Sequence, residues 1–238
     1  MFYCPVNELT ELRLIDRQHG EELFKLLDSN RGHLRRWHPW VDTLRSASEV
    51  ERTIAVWQQL SVNNRGFYAG IWFKGRFCGM INHQNVDWSN RWTALSYWLD
   101  AAHQGQGIMT ACCQKMVSHG FNTWKLNRIT IECATENTRS RAVAERLGFK
   151  FEGIVRGIEW LHDRYVDHAM YGLLRSDYAN DQAMDATRCP ESERSGVACA
   201  DASGAGSLGA GRRHLQPDQP ALADCGQRHP GDDRRRLE

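Results

Sequence analysis

The sequence predicts an α/β fold: a single mixed central β-sheet flanked by helices. Three observations predict it. Strand-like and helix-like runs follow one another in the order strand, two helices, three strands, helix, strand, helix, two strands, which suits a mixed sheet with helices packed on its faces. That order lacks the regular strand–helix alternation of a dinucleotide-binding fold. The aromatic residues are confined to roughly the first 180 of the 238 residues, and a segment of that length buries a sizeable core.

The elements read as follows. Residues 9–15 alternate as a strand, with Leu9, Leu12 and Leu14 as its apolar anchors. Residues 16–28 form a helix with Leu23, Leu26 and Leu27 on one face, and 30–40 (NRGHLRRWHPW) form a polar-aromatic connector in which Pro39 opposes a continuous helix. Ser46 caps the next helix, with Glu49 at capping-box spacing and Val50, Ile54, Trp57 and Leu60 along one face. Residues 67–73 and 77–81 are strands joined by a Lys74-Gly75 turn, and 92–99 is a third strand. A helix over 107–119 presents Ile108, Cys112, Met116 and His119 on one side. A strand over 128–133 leads to a short helix opened by Asn137 and closed by Gly148. Residues 149–154 and 165–173 are the last two strands, with a turn at Asp163 and Arg164.

Composition sets the boundary. All nine tryptophans lie at or before Trp160, and no Phe, Tyr or Trp follows Tyr178. Residues 198–211 read ACADASGAGSLGAG, a run that buries little and is costly to order. The expectation is one domain over 1–180 and a low-complexity, disordered tail over 181–238. Lys plus Arg number 30 against 29 Asp plus Glu, so bulk charge gives no case for nucleic-acid binding. Residues 1–5 do not open a secretory segment, and no run reaches the length of a membrane helix. A cytoplasmic protein is expected. The eight cysteines form no paired C-x-x-C motif with spaced histidines, so they read as reduced thiols and no metal site is expected.

Gln104-Gly105-Gln106-Gly107 falls between a strand and a helix. Glycines there permit unusual backbone angles, and the following helix offers unpaired N–H groups and the positive end of its dipole. Such a turn serves a phosphate cradle or chain geometry alone, and the loop by itself leaves both open. No G-K-[ST] closes it, so it is not a P-loop.

The segment 97–110, YWLDAAHQGQGIMT, resembles the coenzyme A-binding motif of the GCN5-related N-acetyltransferase (GNAT) superfamily. Gln104 fills its first position and Gly107 its central one; Met109 stands where a small residue is usual. A second segment, ENTRSRAVAERLGFKFEG over 136–153, resembles the later motif of the family through Asn137, Ser140 and Leu147-Gly148-Phe149. The resemblance spans residues 7–175. Its nearest branch is that of the ribosomal-protein-serine N-acetyltransferases, through NRGHLRRWHPWV and IEWLHDRYVDHAMYGL.

The resemblance implies an enzyme that moves the acetyl group of acetyl-coenzyme A directly onto a primary amine. It implies that Gln104, Gly105, Gln106, Gly107, Ile108, Met109 and Thr110 hold the cosubstrate, with Asn137 near its pantetheine arm. Trp98 and Leu99 would supply backbone groups to it on a splayed strand edge. Glu159 would be the general base and Ser140 the acid for the leaving thiolate, with Tyr165 as the rival acid. Glu159 sits between Ile158 and Trp160, apolar neighbours that would desolvate a carboxylate. Trp37 and Trp40, beside Pro39, are candidate walls of the acceptor site. The leading acceptor is the N-terminal α-amine of a protein, a ribosomal one in particular. The alternatives are a small amine (polyamine, aminoglycoside or sugar amine) and a coenzyme A-binding regulatory protein without catalysis. No direct nucleic-acid or membrane partner is expected; a homodimer enters by analogy alone.

Overall fold

The computed structural model describes residues 3–179; the expectation for 181–238 lies outside the described residues. The strands are β1 (Tyr3–Pro5), β2 (Thr10–Leu14), β3 (Phe67–Phe73), β4 (Arg76–Asp87), β5 (Trp92–Leu99), β6 (Arg128–Ala134), β7 (Lys150–Leu161) and β8 (Arg164–Leu174). They form one sheet in the order β1-β2-β3-β4-β5-β6-β8-β7. All neighbours are antiparallel except β5 and β6. The helices are α1 (Gly20–Leu34), α2 (Ala47–Val62), α3 (Ile108–Ser118) and α4 (Thr138–Arg146).

The predicted mixed sheet with helices on its faces is what the chain forms, and two apolar clusters hold it together. Leu23, Leu27 and Leu34 of α1 and Val50 and Ile54 of α2 pack with Trp72, Phe77, Met80 and Trp98. Cys112, Cys113 and Met116 of α3 and Val143 and Ala144 of α4 pack with Ile71, Ile81, Leu95, Ile129 and Tyr171. Successive strand residues feed opposite faces: Trp98 enters the first cluster and Leu99 the second. Each fully buried Leu or Ile contributes about 1.5–3 kcal/mol relative to exposure.

Local departures from the sequence reading have identifiable causes. In β2 the buried residues are Thr10 and Leu12, followed by Ile15, while Leu9 is exposed. The strand starts one residue later, and its inward phase is set by pairing with β3. Helix α1 continues through the segment expected to be a connector, as far as Leu34. Asn30, a weak helix former, is held there from both sides: its Nδ2 donates to Leu26 O and its Oδ1 accepts from Ala101 N, each at 3.0 Å. β7 runs on to Leu161, so Glu159 lies in a strand. Beyond α3 the chain makes a π turn, His119–Thr123. It lies beside the buried His83, whose Nε2 donates to Met116 O at 3.1 Å.

Among the described residues the cysteines are free, with Cys78, Cys112, Cys113 and Cys133 buried. No described helix is long and apolar enough to cross a membrane.

Candidate active site

The site begins where two parallel strands part. β5 and β6 pair only over Trp92–Ala94 and Arg128–Thr130; from Leu95 and Ile131 onward the facing edges are not paired with each other. Strand alternation decides which peptide groups face this gap. Arg91 O accepts from Asn127 N and Arg128 N on the β6 side, and Asp100 N donates to Cys78 O on the β4 side at 2.7 Å. Odd-numbered residues between them therefore turn toward β6, so the gap receives the peptide groups of Leu95, Tyr97 and Leu99. Those of Trp98, across from Met80, are turned to β4. Of the two strand residues singled out from sequence, Leu99 offers its N–H to the gap and Trp98 is a buried packing residue.

The C-terminal end of β5 leads into the glycine loop. Gly105 and Gly107 both have φ of 75°, and a Cβ on either would meet nothing within 4 Å. Gly107 is the N-cap of α3 and supplies no side-chain cap, so the first-turn amides of Ile108, Met109 and Thr110 have no helical acceptor. The side chains of Ile108 and Met109 lie in the core. The unusual Met109 therefore leaves the outer surface of the loop clear, and these two residues offer only their backbone.

Gln104 is clamped from two sides. Its Oε1 accepts from Arg139 Nη1, and its Nε2 lies 2.7 Å from His33 Nε2. Burial and then the Arg139 charge push the His33 pKa down, which suits a neutral ring accepting from the Gln104 amide. Arg146 Nη1 donates to Thr110 Oγ1 at 3.2 Å. Gln106 is exposed, its Nε2 donating to Ala102 O. Uncapped amides, open left-handed glycines and two guanidiniums form a surface suited to a diphosphate. Arg139 and Arg146 were not identified from sequence. They sit on α4, more than 30 residues from the loop, and only the fold brings them there.

On the far side of the gap, the Asn137 Oδ1 accepts from Ser140 N at 3.2 Å and caps α4. The Ser140 Oγ lies 3.1 Å from the Tyr97 hydroxyl, which also donates to Ser140 O at 3.3 Å. Desolvation pushes the Tyr97 pKa well above its ordinary value, so Tyr97 is a protonated phenol. Cys133, on β6, lies close to Ser140; burial raises its thiol pKa and the neighbouring Ser140 partly opposes that. Ser140 thus sits among Tyr97, Cys133 and its own helix N-terminus.

The remaining residues gather on the β7–β8 hairpin. Glu159 Oε2 accepts from His168 Nε2 at 2.9 Å. Trp160, 54% exposed, stacks edge-on against Tyr165, so the neighbour that meets the carboxylate is His168 and not the adjacent aromatic. The connector covers this region. His162 Nε2 donates to Arg35 O at 2.7 Å, and Trp37 packs on Ala134, Leu161 and Val166. His38 is held at a pKa of about 4 by burial, partly opposed by the nearby Glu159 charge. Trp40 packs against the α1–α2 core, and its ring also meets that of His38, with 5.8 Å between centroids. Trp37 and His38 therefore stand near Glu159, and Trp40 reaches them through the His38 ring. Tyr165 is largely exposed.

A gap between parallel strands that opens onto a diphosphate cradle is what a coenzyme A thioester requires. It lets the pantetheine arm pair with a strand edge while the diphosphate meets a helix N-terminus. The fold and the site define an acyltransferase of that kind. Residues 10–150 match the family model described as acetyltransferase (GNAT) domain. The chain is 34% identical over 183 residues to the putative ribosomal N-acetyltransferase of Bacillus subtilis (strain 168), covering 76% of this chain and all of that one. It is 29% identical over 171 residues to the ribosomal-protein-serine acetyltransferase of Escherichia coli (strain K12), covering 71% and 94%. A solved ribosomal L7/L12 alpha-N-protein acetyltransferase in complex with coenzyme A superposes with a TM-score of 0.71 at 28% identity, covering 73% and 98%. The chain belongs to the GNAT acetyltransferase family and is an acetyl-coenzyme A-dependent N-acetyltransferase.

Proposed function

We propose that the chain acetylates the N-terminal α-amine of a protein, and of a ribosomal protein in particular, with Glu159 as general base and Ser140 as general acid. The relatives' names support the acceptor class. The observation that carries the catalytic reading is where Glu159 meets its partner. His168 pairs with Ala134 in the β6–β8 register, so the Glu159–His168 pair lies beside the C-terminal end of β6, at the open end of the gap.

The chemistry follows from the residues. An α-amine has a pKa of about 7.7–8.0, so a modest base suffices. Glu159 takes the proton that the amine sheds as the C–N bond forms. The Leu99 N–H steadies the charge that builds on the carbonyl oxygen. Ser140 passes its hydroxyl proton to the sulfur as the C–S bond breaks, and the Tyr97 hydroxyl beside it is the group able to replace that proton. The loop from Gln104 to Thr110, with Arg139 and Arg146, holds the diphosphate.

Thiol release from acetyl-coenzyme A, measured against serine-initiated peptides, polyamines and aminoglycosides with mass analysis of products, tests the acceptor class. Preference for a small polyamine over every peptide would overturn it. For the base, Glu159→Gln is expected to lower kcat by about 100-fold to 10,000-fold, with acetyl-coenzyme A affinity nearly unchanged. Raising the pH should partly rescue an α-amine acceptor. Full activity of the variant at every pH removes Glu159 from the role.

A further inference from the structure

The Glu159–His168 contact is not an ordinary cross-strand pair. In the β7–β8 register Val155 faces His168 and Glu159 faces Val166. Four steps along β7 therefore match two along β8, and the bulge between them adds two residues to β7. An even insertion keeps Val155 and Glu159 on the same face as Val166 and His168. Glu159 is brought back diagonally onto the His168 ring.

The bulge is held by its own bond. Gly157 has φ of 59°, a left-handed conformation that glycine adopts at little cost. Its N–H donates to Asp167 Oδ1 at 2.8 Å. A specific loop-out, fixed by Gly157 and Asp167, thus serves to join one carboxylate to one imidazole.

Exposure separates the two partners. The His168 side chain is 15% exposed and that of Glu159 is 30%. The carboxylate is the more open group and the imidazole lies behind it. Because a carboxylate only accepts, the 2.9 Å contact requires the proton on Nε2 of His168. One carboxylate oxygen is thereby engaged, and no hydrogen bond to the other is found among the described residues.

We propose that His168 is a positioning residue for acetyl transfer, its Nε2–H fixing the Glu159 carboxylate so that the second oxygen receives the proton of the acceptor amine. The inference rests on the reading of Glu159 as the base. A half-buried glutamate without such a donor samples several rotamers, and a displacement of about 1 Å at a reacting group costs on the order of 100-fold in rate.

The test compares three substitutions in the full chain, using the acceptor that gives the fastest thiol release. His168→Leu fills the space but cannot donate; His168→Ala replaces it should leucine fail to fold. His168→Gln restores an amide donor. The Leu variant is expected to lose about 10-fold to 100-fold in kcat, with acetyl-coenzyme A affinity unchanged by calorimetry. The Gln variant should recover most of that loss. In a Glu159→Gln background, His168→Leu should cost no further kcat, because the group it positions is already gone. Wild-type kcat in the Leu variant overturns the proposal, as does a loss that Gln does not recover and that adds fully to Glu159→Gln. Full activity of Glu159→Gln alone instead removes the base itself, an outcome distinct from either.

Discussion

The glycine loop illustrates how one residue carries both strain and binding. At Gly107 a methyl group meets no protein atom, yet φ is 75°, so alanine is strained by about 1–2 kcal/mol and its added carbon enters the open cradle. Gly107→Ala is expected to lower both stability and coenzyme A affinity. Gly75 is the matching control. Its φ is 74°, it also has nothing within 4 Å, and it lies in the β3–β4 turn and not in the loop before α3. Gly75→Ala should cost similar stability with affinity unchanged, as thermal melts and calorimetry would register. Equal affinity loss in both variants, or none in either, would take the cosubstrate away from this loop. At this scale the sequence was informative wherever a residue type is scarce in its role. Gly105 and Gly107 were visible as a strand-to-helix turn. His168 carried no such mark, because a histidine in an alternating strand looks like any other half-buried residue until a bulge elsewhere in the hairpin turns a carboxylate onto it.

Capping chemistry is local and was readable in advance, down to one detail. Ser46 Oγ accepts from Glu49 N at 3.3 Å as its spacing predicted. The Glu49 carboxylate, however, accepts from Arg45 N at 2.6 Å, one residue before the cap. That backbone bond is the main reason its pKa is lowered. Ser46→Ala should destabilise the chain by about 1 kcal/mol, a drop of roughly 2–4 °C in melting temperature for a domain of this size. An unchanged melt would mean that α2 is held by Val50 and Ile54 alone. Helix α1 is the converse case. Its continuation through Asn30 depends on Ala101, 71 residues away, and no local propensity announces such a bond.

For the whole molecule, the buried His83 and the half-buried His38 make stability depend on pH. Burial holds His83 at a pKa of about 4, partly opposed by its bond to Met116 O, and burial likewise holds His38 at about 4. The folded-state pKa values lie below the unfolded value of 6.5, so the unfolded chain binds the proton first. Stability from these groups is complete above about pH 6.5 and is lost as the pH falls toward 4, by up to an order of 3 kcal/mol for a fully buried ring. Denaturant melts at pH 7.5, 6 and 5 should show a progressive loss, and His83→Gln should flatten the slope. A flat wild-type profile between pH 7.5 and 5 would show that His83 protonates without unfolding. Glu152, whose pKa is lowered by its Arg128 bond, adds a loss of the same sign in the acid range below its ordinary pKa.

Sequence alone determined the alternation of elements from β2 onward, though not the short β1 before it, the α2 cap, the glycine turn before α3, the Asn137 start of α4 and the paired motifs that mark the family. Each of these is a matter of neighbouring residues and of apolar period, which the chain carries locally. The tertiary structure decided where β5 and β6 part, which peptide groups face the gap, and that Arg139 and Arg146 flank the loop. It also decided that His168 and not Trp160 meets Glu159, and that Trp37 packs on Leu161 and Val166 while Trp40 joins the α1–α2 core. Those outcomes depend on strand register and on the two-residue bulge held by Gly157 and Asp167. Register is set by which faces can be buried together across the whole sheet, a condition that no single stretch of sequence satisfies by itself.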